Sequence, residues 1–407
     1  MENQLNTNFS QLKNDVLLPL EEMLETGQKR SQISIGIPGE IQQDETRVGL
    51  IPEGVRHLSA HGNRILVQSG SGMPAHFTDH EYSEAGAEIV STASEVFKAD
   101  IILKISPPTS EEMDMMRARQ VVISTLHWQV QPQHYFRKLI NHKITAIAFE
   151  YLKDKAGYTP VVRGMGEIAG TTAIHIAAMY LSDAEIGRGI MLGGFTGISP
   201  TEVVIIGAGT VGEFAARSAL ALGAMVKVFD DNLYKLRSLQ QNIGHKIFTS
   251  ILSPSELEKA LLTADVAIGA VYSGKERTPM VVSESMVSRM KAGAVIVDVS
   301  IDQGGCFETS RLTTHSNPVF KKYDVIHYCV PNIGSRVPRT ASKAFSNVFT
   351  PLLLKASELG GFDNLLRQDF PIRQGVYLYN GILTNQQISD YYNLPFKDIE
   401  LLMAAFH

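Results

Sequence analysis

The sequence predicts an α/β protein with two parallel-sheet domains. Its 407 residues exceed what one typical hydrophobic core holds. Short apolar runs alternate with helical stretches between residues 33 and 150, a pattern typical of a parallel sheet covered by helices on both faces. The same alternation starts again at residue 203, after a loop with five glycines at 187–200. Two sheets, each with its own core, are therefore expected.

The first domain is predicted from the order of its elements. Residues 1–32 carry apolar side chains at spacings of three or four, which predicts a helical leader that packs or assembles. After it, the predicted strands are short apolar runs, and helical stretches separate some of them. Strands are expected at 33–38, 64–70, 101–106, 121–125 and 144–150, and helices at 53–62, 133–141 and 168–181.

The second domain begins with a buried strand that runs into a glycine turn at 203–209, followed by a helix at 211–223. A long helix is expected from about residue 340 to 359, and Pro351 should kink it. The remaining residues, 362–407, are expected to mix helix and loop. Further strands are expected at 225–230, 246–250, 265–271, 294–300 and 325–330.

Composition excludes several classes of protein. The formal net charge is −5, which disfavours a general nucleic-acid binder. No apolar run reaches the ~18 residues of a membrane span, and the first residues lack the pattern of a signal peptide. Two cysteines, Cys306 and Cys329, are too few for a disulfide framework or a four-cysteine zinc site. We therefore expect a cytoplasmic protein that needs no metal, membrane or nucleic acid.

The turn after the strand at 203–209 predicts a dinucleotide site. Gly207, Gly209 and Gly212 form GxGxxG between a strand and a helix: the first allows the tight turn, the second lets a pyrophosphate approach the backbone, and the third lets the helix pack closely. Asp230 ends the next strand, where a carboxylate accepts hydrogen bonds from ribose hydroxyls and repels a 2′-phosphate. NAD is therefore favoured over NADP. The alternative is a tight turn without a ligand.

Two cationic residues are candidates for binding a substrate. Arg47 has a rigid guanidinium fork that suits a carboxylate, although a salt bridge to Glu45 or Glu40 would equally explain it. Lys104 lies in the apolar run IILKIS, where a charge needs a partner or a task. The alternative is a strand lysine whose amine reaches the surface.

His127 and Asp302 are candidates for proton transfer. Each follows a predicted strand, and the carboxyl ends of parallel strands border the crevice where such folds bind ligands. The structural alternatives are a core histidine bonded to the backbone and a turn carboxylate before two glycines.

These motifs together resemble the alanine dehydrogenase and transhydrogenase alpha-subunit family over about residues 33–390. The resemblance rests on IPGEIQQDETRVGLIPEGV, STLHW, GAGTVG and above all VDVSIDQGGCFETSRLTTHSNP with HYCVPNIGSRVPRT. It implies that a Rossmann-type NAD domain is inserted into a second, parallel-sheet substrate domain. We expect the leader at 1–32, the substrate domain at 33–165 and 339–407, and the NAD domain at 166–338.

The resemblance also implies roles for individual residues. Arg47 and Lys104 would bind substrate, and His127 and Asp302 would be the catalytic acid/base pair. Ser106 stands where the family usually has a second, substrate-contacting lysine, so that role passes to Lys104. Cofactor contacts are expected from Gly207, Gly209, Thr210, Val211, Gly212, Asp230, Lys235, Val271, Ile301, Asp302, Val330 and Asn332. Other departures from the family pattern are Gly39, Gly166, Ile333 and Trp128.

The implied activity is the reversible, NAD-dependent oxidative deamination of L-alanine to pyruvate and ammonium, a reaction of alanine catabolism. The resemblance also implies a homo-oligomer, which in this family is commonly a hexamer. Two alternatives remain. A related dehydrogenase could act on another amino acid, such as lysine or saccharopine, and a non-catalytic NAD-binding sensor could keep the same fold. A transhydrogenase-like subunit is less favoured because it should lack the pair His127 and Asp302.

Overall fold

The computed structural model describes residues 32–42, 44–273 and 277–405. The predicted helical leader, except for its last residue, lies outside these ranges. In chain order the strands are β1 Ser34–Ile37, β2 Arg64–Gln68, β3 Glu88–Val90, β4 Ile101–Leu103, β5 Val121–Ser124, β6 Thr145–Ala148, β7 Glu202–Ile206, β8 Met225–Asp230, β9 Phe248–Ile251, β10 Val266–Gly269, β11 Val295–Asp298, β12 Val319–Lys322, β13 Val325–Tyr328, β14 Val376–Tyr379 and β15 Ile382–Leu383.

Helices connect most of these strands. In chain order they are α1 Pro52–Ala60, α2 Asp79–Glu84, α3 Ala93–Val96, α4 Ser110–Asp114, α5 Gln133–Asn141, α6 Pro160–Ser182, α7 Thr210–Ala221, α8 Leu233–Ile243, α9 Pro254–Thr263, α10 Glu284–Val287, α11 Pro338–Glu358, α12 Phe362–Gln368, α13 Phe370–Arg373, α14 Gln386–Tyr392 and α15 Ile399–Ala405. Short 3₁₀ turns follow several strands, including Trp128–Val130, Phe149–Tyr151, Val299–Gln303 and Ile333–Arg336.

The described residues form an eight-stranded sheet and a seven-stranded sheet. The first has the order β15-β14-β6-β5-β4-β1-β2-β3, and the second has the order β12-β13-β11-β10-β7-β8-β9. The expectation of an α/β protein with two sheet domains is confirmed. Most strands pair in parallel as expected, whereas β14, β15 and β12, which were not predicted, pair antiparallel at the sheet edges.

The tail after residue 362 contains strands that the sequence reading missed. β14 pairs with β6, so the C-terminal segment extends the sheet of the N-terminal segment. The expectation of helix and loop alone is therefore wrong for this stretch. The run Val376–Tyr379 is only four residues long, and its pairing partner lies more than 200 positions away in the sequence, so local pattern alone did not identify it.

The edge strand β12 was missed for a different reason. Tyr323 and Asp324 connect it to β13 and both have positive φ, 54° and 56°, as a two-residue hairpin turn requires. The usual glycine signal for such a turn is absent, and the exposed lysines of β12 give it little apolar alternation.

Two long helices lie in the chain segments that connect one sheet to the other. Helix α6 packs on α7 so closely that a side chain on Gly170 would lie 2.2 Å from the carbonyl oxygen of Val211. Helix α11 spans approximately the predicted residues, continues through Pro351 and packs on α1. The predicted domain limits fall within α6 and at the start of α11; those limits, and the kink at Pro351, stay predictions.

The parallel strands bring their carboxyl ends to one edge of each sheet. The loops after β1, β5, β11 and β13 carry Arg47, His127, Asp302 and Asn332, respectively. No helix in the described ranges is long and apolar enough to span a membrane.

Candidate active site

The glycine turn after β7 has the geometry that the motif predicts. Gly207 has φ of +111°, and a side chain there would lie 2.3 Å from the carbonyl oxygen of Ala270. A side chain on Gly212 would lie 1.9 Å from the carbonyl oxygen of Gly207, which excludes any larger residue. Gly209, in contrast, faces open space. The turn therefore leaves room for a pyrophosphate beside Gly209 and the first backbone N–H groups of α7.

Asp230 ends β8 and is buried at 6% exposure. Its Oδ2 accepts a hydrogen bond from the Ala208 N–H at 2.7 Å, and its Oδ1 accepts one from the Asn232 N–H at 2.8 Å. The carboxylate therefore stabilises the glycine turn. Each oxygen keeps a further lone pair, so the predicted ribose contact is compatible with these bonds.

The other predicted nucleotide contacts surround the same sheet edge. Thr210 and Val211 start α7, and Lys235 is exposed in the first turn of α8. Val271 follows β10 and donates its N–H to Ser300 Oγ at 2.9 Å. Two more, Ile301 and Val330, are buried beside the ends of β11 and β13.

Arg47 is held by a carboxylate of its own segment. Its Nε and Nη2 donate to Glu45 Oε1 and Oε2 at 2.8 and 2.6 Å. The guanidinium also lies over the ring of Phe345, 5.2 Å from its centroid. The remaining nitrogen, Nη1, faces Met165 Sδ at 3.6 Å, a weak acceptor. The salt bridge to Glu45 is thus present, and Nη1 is the nitrogen best placed for a ligand carboxylate.

Lys104 is held in a buried ion pair. It is 2% exposed, and its Nζ lies 2.7 Å from both carboxylate oxygens of Glu112. Glu40 Oε2 lies 4.0 Å away on another side. Lys104 therefore forms a buried ion pair with Glu112, and its role in binding substrate stays a prediction. The alternative of a surface-reaching amine is wrong, because the side chain is buried.

His127 lies three residues beyond β5 in a left-handed conformation with φ of 46°. Glu150 Oε1 accepts the N–H groups of Leu126 and His127 at 2.8 and 3.4 Å, which fixes this turn. The residue is exposed, so the alternative of a core histidine is wrong. Desolvation by the surrounding protein and the charge of Arg47 lower the pKa of its ring, and Glu45 opposes them.

Asp302 lies in the 3₁₀ turn Val299–Gln303 after β11. Its Oδ1 accepts the N–H of Asn332 at 2.7 Å. Desolvation raises the pKa of its carboxyl, while the bond from Asn332 and the charge of Arg47 oppose that rise. The charge of Arg47 thus acts on both His127 and Asp302. Hydrogen bonds link Asp302 through Asn332 and Glu45 to Arg47, and the roles of these residues and of His127 stay predictions.

A pocket of about 180 Å³ opens beside Arg47. It lies at the carboxyl ends of β1 and β2, and its size suits a small carboxylate ligand. Its lining residues are Gly39, Glu40, Glu45, Arg47, Ser69, Gly70, Ser71 and Pro74. No group of three or more His, Cys, Asp or Glu residues in the described ranges could hold a metal ion.

The remaining departures from the family pattern have clear positions. Trp128 is buried and packs edge-on against Tyr391, away from bulk solvent. A side chain on Gly166 would meet Thr210 at 3.3 Å, next to the glycine turn. Ile333 is buried beside Asn332.

Two carboxylates at this site were missed as functional candidates. From sequence, Glu45 is indicated only as a possible salt-bridge partner of Arg47, and no motif singles out Glu150. Glu150 follows β6 just as His127 follows β5, so its position at the end of a predicted strand was the available signal. Its Oε2 is buried without a hydrogen-bond partner, and burial raises the pKa of the carboxyl.

Comparison with known proteins gives consistent results along the chain. Two family models match: the alanine dehydrogenase/PNT N-terminal domain at residues 36–169 and the C-terminal domain of the same family at 173–386. The chain is 39% identical over 371 residues to the alanine dehydrogenase of Mycolicibacterium smegmatis, covering 91% of this chain and 100% of that protein. It is 38% identical over 368 residues to the alanine dehydrogenase of Methanococcus maripaludis, covering 90% and 98%.

Solved structures show the same similarity in three dimensions. One L-alanine dehydrogenase superposes with a TM-score of 0.83 at 34% identity, over 89% of this chain and 99% of the other. A transhydrogenase from Sinorhizobium meliloti superposes with a TM-score of 0.73 at 22% identity, over 87% and 99%. At 22% identity, the similarity to the transhydrogenase shows a shared fold alone.

Proposed function

The chain belongs to the alanine dehydrogenase/PNT family, and from this premise we propose that it oxidises L-alanine with NAD and water to pyruvate, ammonium and NADH, and catalyses the reverse reductive amination. The observation that carries the proposal is the chain of hydrogen bonds from Arg47 through Glu45 and Asn332 to Asp302, with the charge of Arg47 also acting on the ring of His127. A carboxylate-binding cation beside two proton-transfer groups is what the deamination of an amino acid requires.

The described residues fit a bound dinucleotide, because the turn at Gly207–Gly212 is open beside Gly209 and begins a helix. When bound, the nucleotide supplies the hydride acceptor. Arg47 would hold the substrate carboxylate through Nη1. His127 would remove a proton from the water that adds to the iminium carbon, and Asp302 would help to move protons as ammonium leaves.

A panel of amino acids tests this proposal. Each is offered with NAD, and formation of NADH is followed by absorbance. L-Alanine is expected to give the highest kcat/KM. If lysine or saccharopine gives the highest kcat/KM instead, that compound and not alanine is the preferred substrate. Binding of NAD without reduction by any amino acid would indicate a sensor, which the ion-paired Lys104 and the missing lysine at Ser106 favour.

Arg47→Lys is expected to weaken pyruvate binding by roughly 1.5–3 kcal/mol, the usual scale for a hydrogen bond to a charged group. Lysine keeps the charge but cannot bond both Glu45 and a substrate carboxylate with a planar fork. The measurement is the KM for pyruvate, compared with that of Arg64→Lys, an exposed arginine paired with Glu88. An unchanged KM would leave Arg47 with an ion-pairing role only.

Asp230→Ala is expected to lower the preference for NAD over NADP, because a ribose acceptor and a repulsive charge are both lost. NAD binding should also weaken, since the glycine turn loses its bond from Ala208. The ratio of kcat/KM for the two nucleotides is the measurement, and Asp231→Ala, an exposed neighbour, is the control. Equal use of both nucleotides by the wild-type protein would contradict this role.

We also propose that the enzyme is a cytoplasmic homo-oligomer, with a hexamer as the expected state from the family resemblance. Exposed apolar side chains support self-association: Met191, Phe195 and Ile198 are 61%, 50% and 68% exposed in the glycine-rich loop. Sedimentation equilibrium measures the assembly mass directly, and a monomer at all concentrations would contradict the proposal.

A further inference from the structure

Glu45 makes more contacts at the site than its role as a salt-bridge partner requires. Its side chain is 5% exposed. Besides the two bonds from the Arg47 guanidinium, Oε1 accepts the Arg47 backbone N–H at 3.0 Å. Oε2 accepts Asn332 Nδ2 at 2.9 Å, and the Ser335 hydroxyl lies 3.3 Å from Oε1. One buried carboxylate therefore receives donors from three residues.

These contacts join the two sheets. Arg47 and Glu45 lie in the loop after β1, whereas Asn332 and Ser335 follow β13 in the other sheet. A third cross-sheet bond, from Thr46 Oγ1 to the Ser335 carbonyl oxygen at 2.7 Å, reinforces the connection.

Asn332 extends the connection to the proposed acid/base pair. It is in a left-handed conformation with φ of 55°, which directs its N–H to Asp302 while its side chain reaches Glu45. The hydrogen bonds thus run from Arg47 through Glu45 and Asn332 to Asp302 without a break.

We propose that Glu45 is a positioning residue that holds the Arg47 fork and Asn332 in one arrangement, so that the substrate carboxylate and Asp302 keep a fixed separation. This inference rests on the proposed function. Glu45 occupies two guanidinium nitrogens and leaves Nη1 for the substrate, so a carboxylate meets a fork that is already oriented. Such orientation contributes to rate because a misplacement of about 1 Å can cost ~10²-fold.

Glu45 also acts on His127 through its charge. The charges that act on the His127 ring are those of Arg47, which lowers its pKa, and Glu45, which raises it. Burial raises the pKa of Glu40 and the charge of Glu45 adds to that rise, whereas burial lowers the pKa of His315 and the charge of Glu45 opposes that fall. Neutralising Glu45 therefore leaves the field of Arg47 less opposed, and the pKa of His127 falls further. A role in packing alone would not produce this change.

The test compares two variants. Glu45→Gln keeps the size and removes the charge: kcat for pyruvate amination is expected to fall about 10–100-fold, with a smaller change in KM because the Arg47 charge remains. The apparent pKa of His127 is expected to fall, measured from the pH dependence of its modification by diethyl pyrocarbonate. Glu45→Asp keeps the charge and shortens the reach, so kcat should fall while the pKa of His127 stays near the wild-type value.

Glu88→Gln is the matched control, since Glu88 also pairs with an arginine, at 2.7 Å, but on an exposed strand. It should leave kcat and the His127 pKa unchanged. Wild-type kcat in Glu45→Asp, or an unshifted His127 pKa in a folded Glu45→Gln, would overturn the inference. Failure of the proposed function has a different signature: the wild-type protein itself would not turn over alanine or pyruvate, while the modification experiment would still report on Glu45.

Discussion

His127→Ala or Asp302→Asn is expected to lower kcat by about 10²–10⁴-fold while the nucleotide still binds, because a positioned proton-transfer group contributes a factor of that size. The two residues follow strands of different sheets, yet both respond to the charge of Arg47. The double variant should lose less than the product of the single losses, since the two groups act in one sequence of proton transfers.

Steady-state kinetics with alanine and NAD measure these losses, and nucleotide binding is followed separately. His80→Ala is a suitable control because His80 is largely exposed and pairs with Glu84 on the surface. Turnover close to wild type in either single variant would remove that residue from the mechanism.

The pH profile offers a further check on His127. A base must start unprotonated, so kcat/KM for alanine oxidation should rise with pH through the pKa of His127. Desolvation and Arg47 place that pKa below the ordinary value for histidine, so the rise should be complete at a lower pH than an unperturbed histidine would give. His127→Ala should abolish this limb of the profile.

Glu112→Ala is expected to destabilise the protein by about 3–5 kcal/mol, because it leaves the ammonium of Lys104 buried with Glu40 as its nearest carboxylate, at 4.0 Å. The variant also removes the acceptor for the Thr109 N–H at the start of α4. Denaturant unfolding, or the unfolding midpoint if unfolding is irreversible, measures the loss.

Two comparisons identify the cause. Glu88→Ala removes an exposed partner at the same N–O distance of 2.7 Å and should cost at most about 1 kcal/mol. Replacing both buried partners, Lys104→Met with Glu112→Leu, should recover most of the stability, since an apolar pair of similar volume avoids the buried charge. A loss in Glu112→Ala no larger than in Glu88→Ala would contradict a buried ion pair.

The same variants bear on the family departure at Ser106. If Lys104 served substrate, the stable double variant would lose kcat/KM for pyruvate by more than its stability explains. The ion pair instead predicts little change, because Glu112 accepts two of the three N–H groups of the amine.

The fold could be predicted where local patterns carry it. The strand before Gly207 and the alternation of strands and helices identified both sheets. The antiparallel edges were missed because pairing of Val376–Tyr379 with β6 is a long-range contact, and because the turn at Tyr323 and Asp324 has no glycine.

The site could be predicted only in part. The position after a strand pointed to His127 and Asp302, and residue chemistry pointed to Arg47. The sequence does not show which side chains form pairs. Glu45 could belong to a surface salt bridge or to a buried network. The hydrogen bond from Asn332, which approaches from the other sheet, shows that it belongs to a buried network. Similarly, side chains alternate along the strand IILKIS, which predicts that Lys104 shares a face with Ser106, where the family usually has a lysine. The contacts of Lys104 are instead determined by Glu112 on α4.

The most direct test of the proposed reaction is transfer of deuterium from L-alanine labelled at Cα to the nucleotide. The expected result is pyruvate and deuterated NADH in equal amounts, detected by mass spectrometry, with product formation about 10²–10⁴-fold slower when His127→Ala replaces the wild-type protein. Bound NAD that gains no deuterium from alanine under any condition would contradict the assignment of this site as an alanine-oxidising centre.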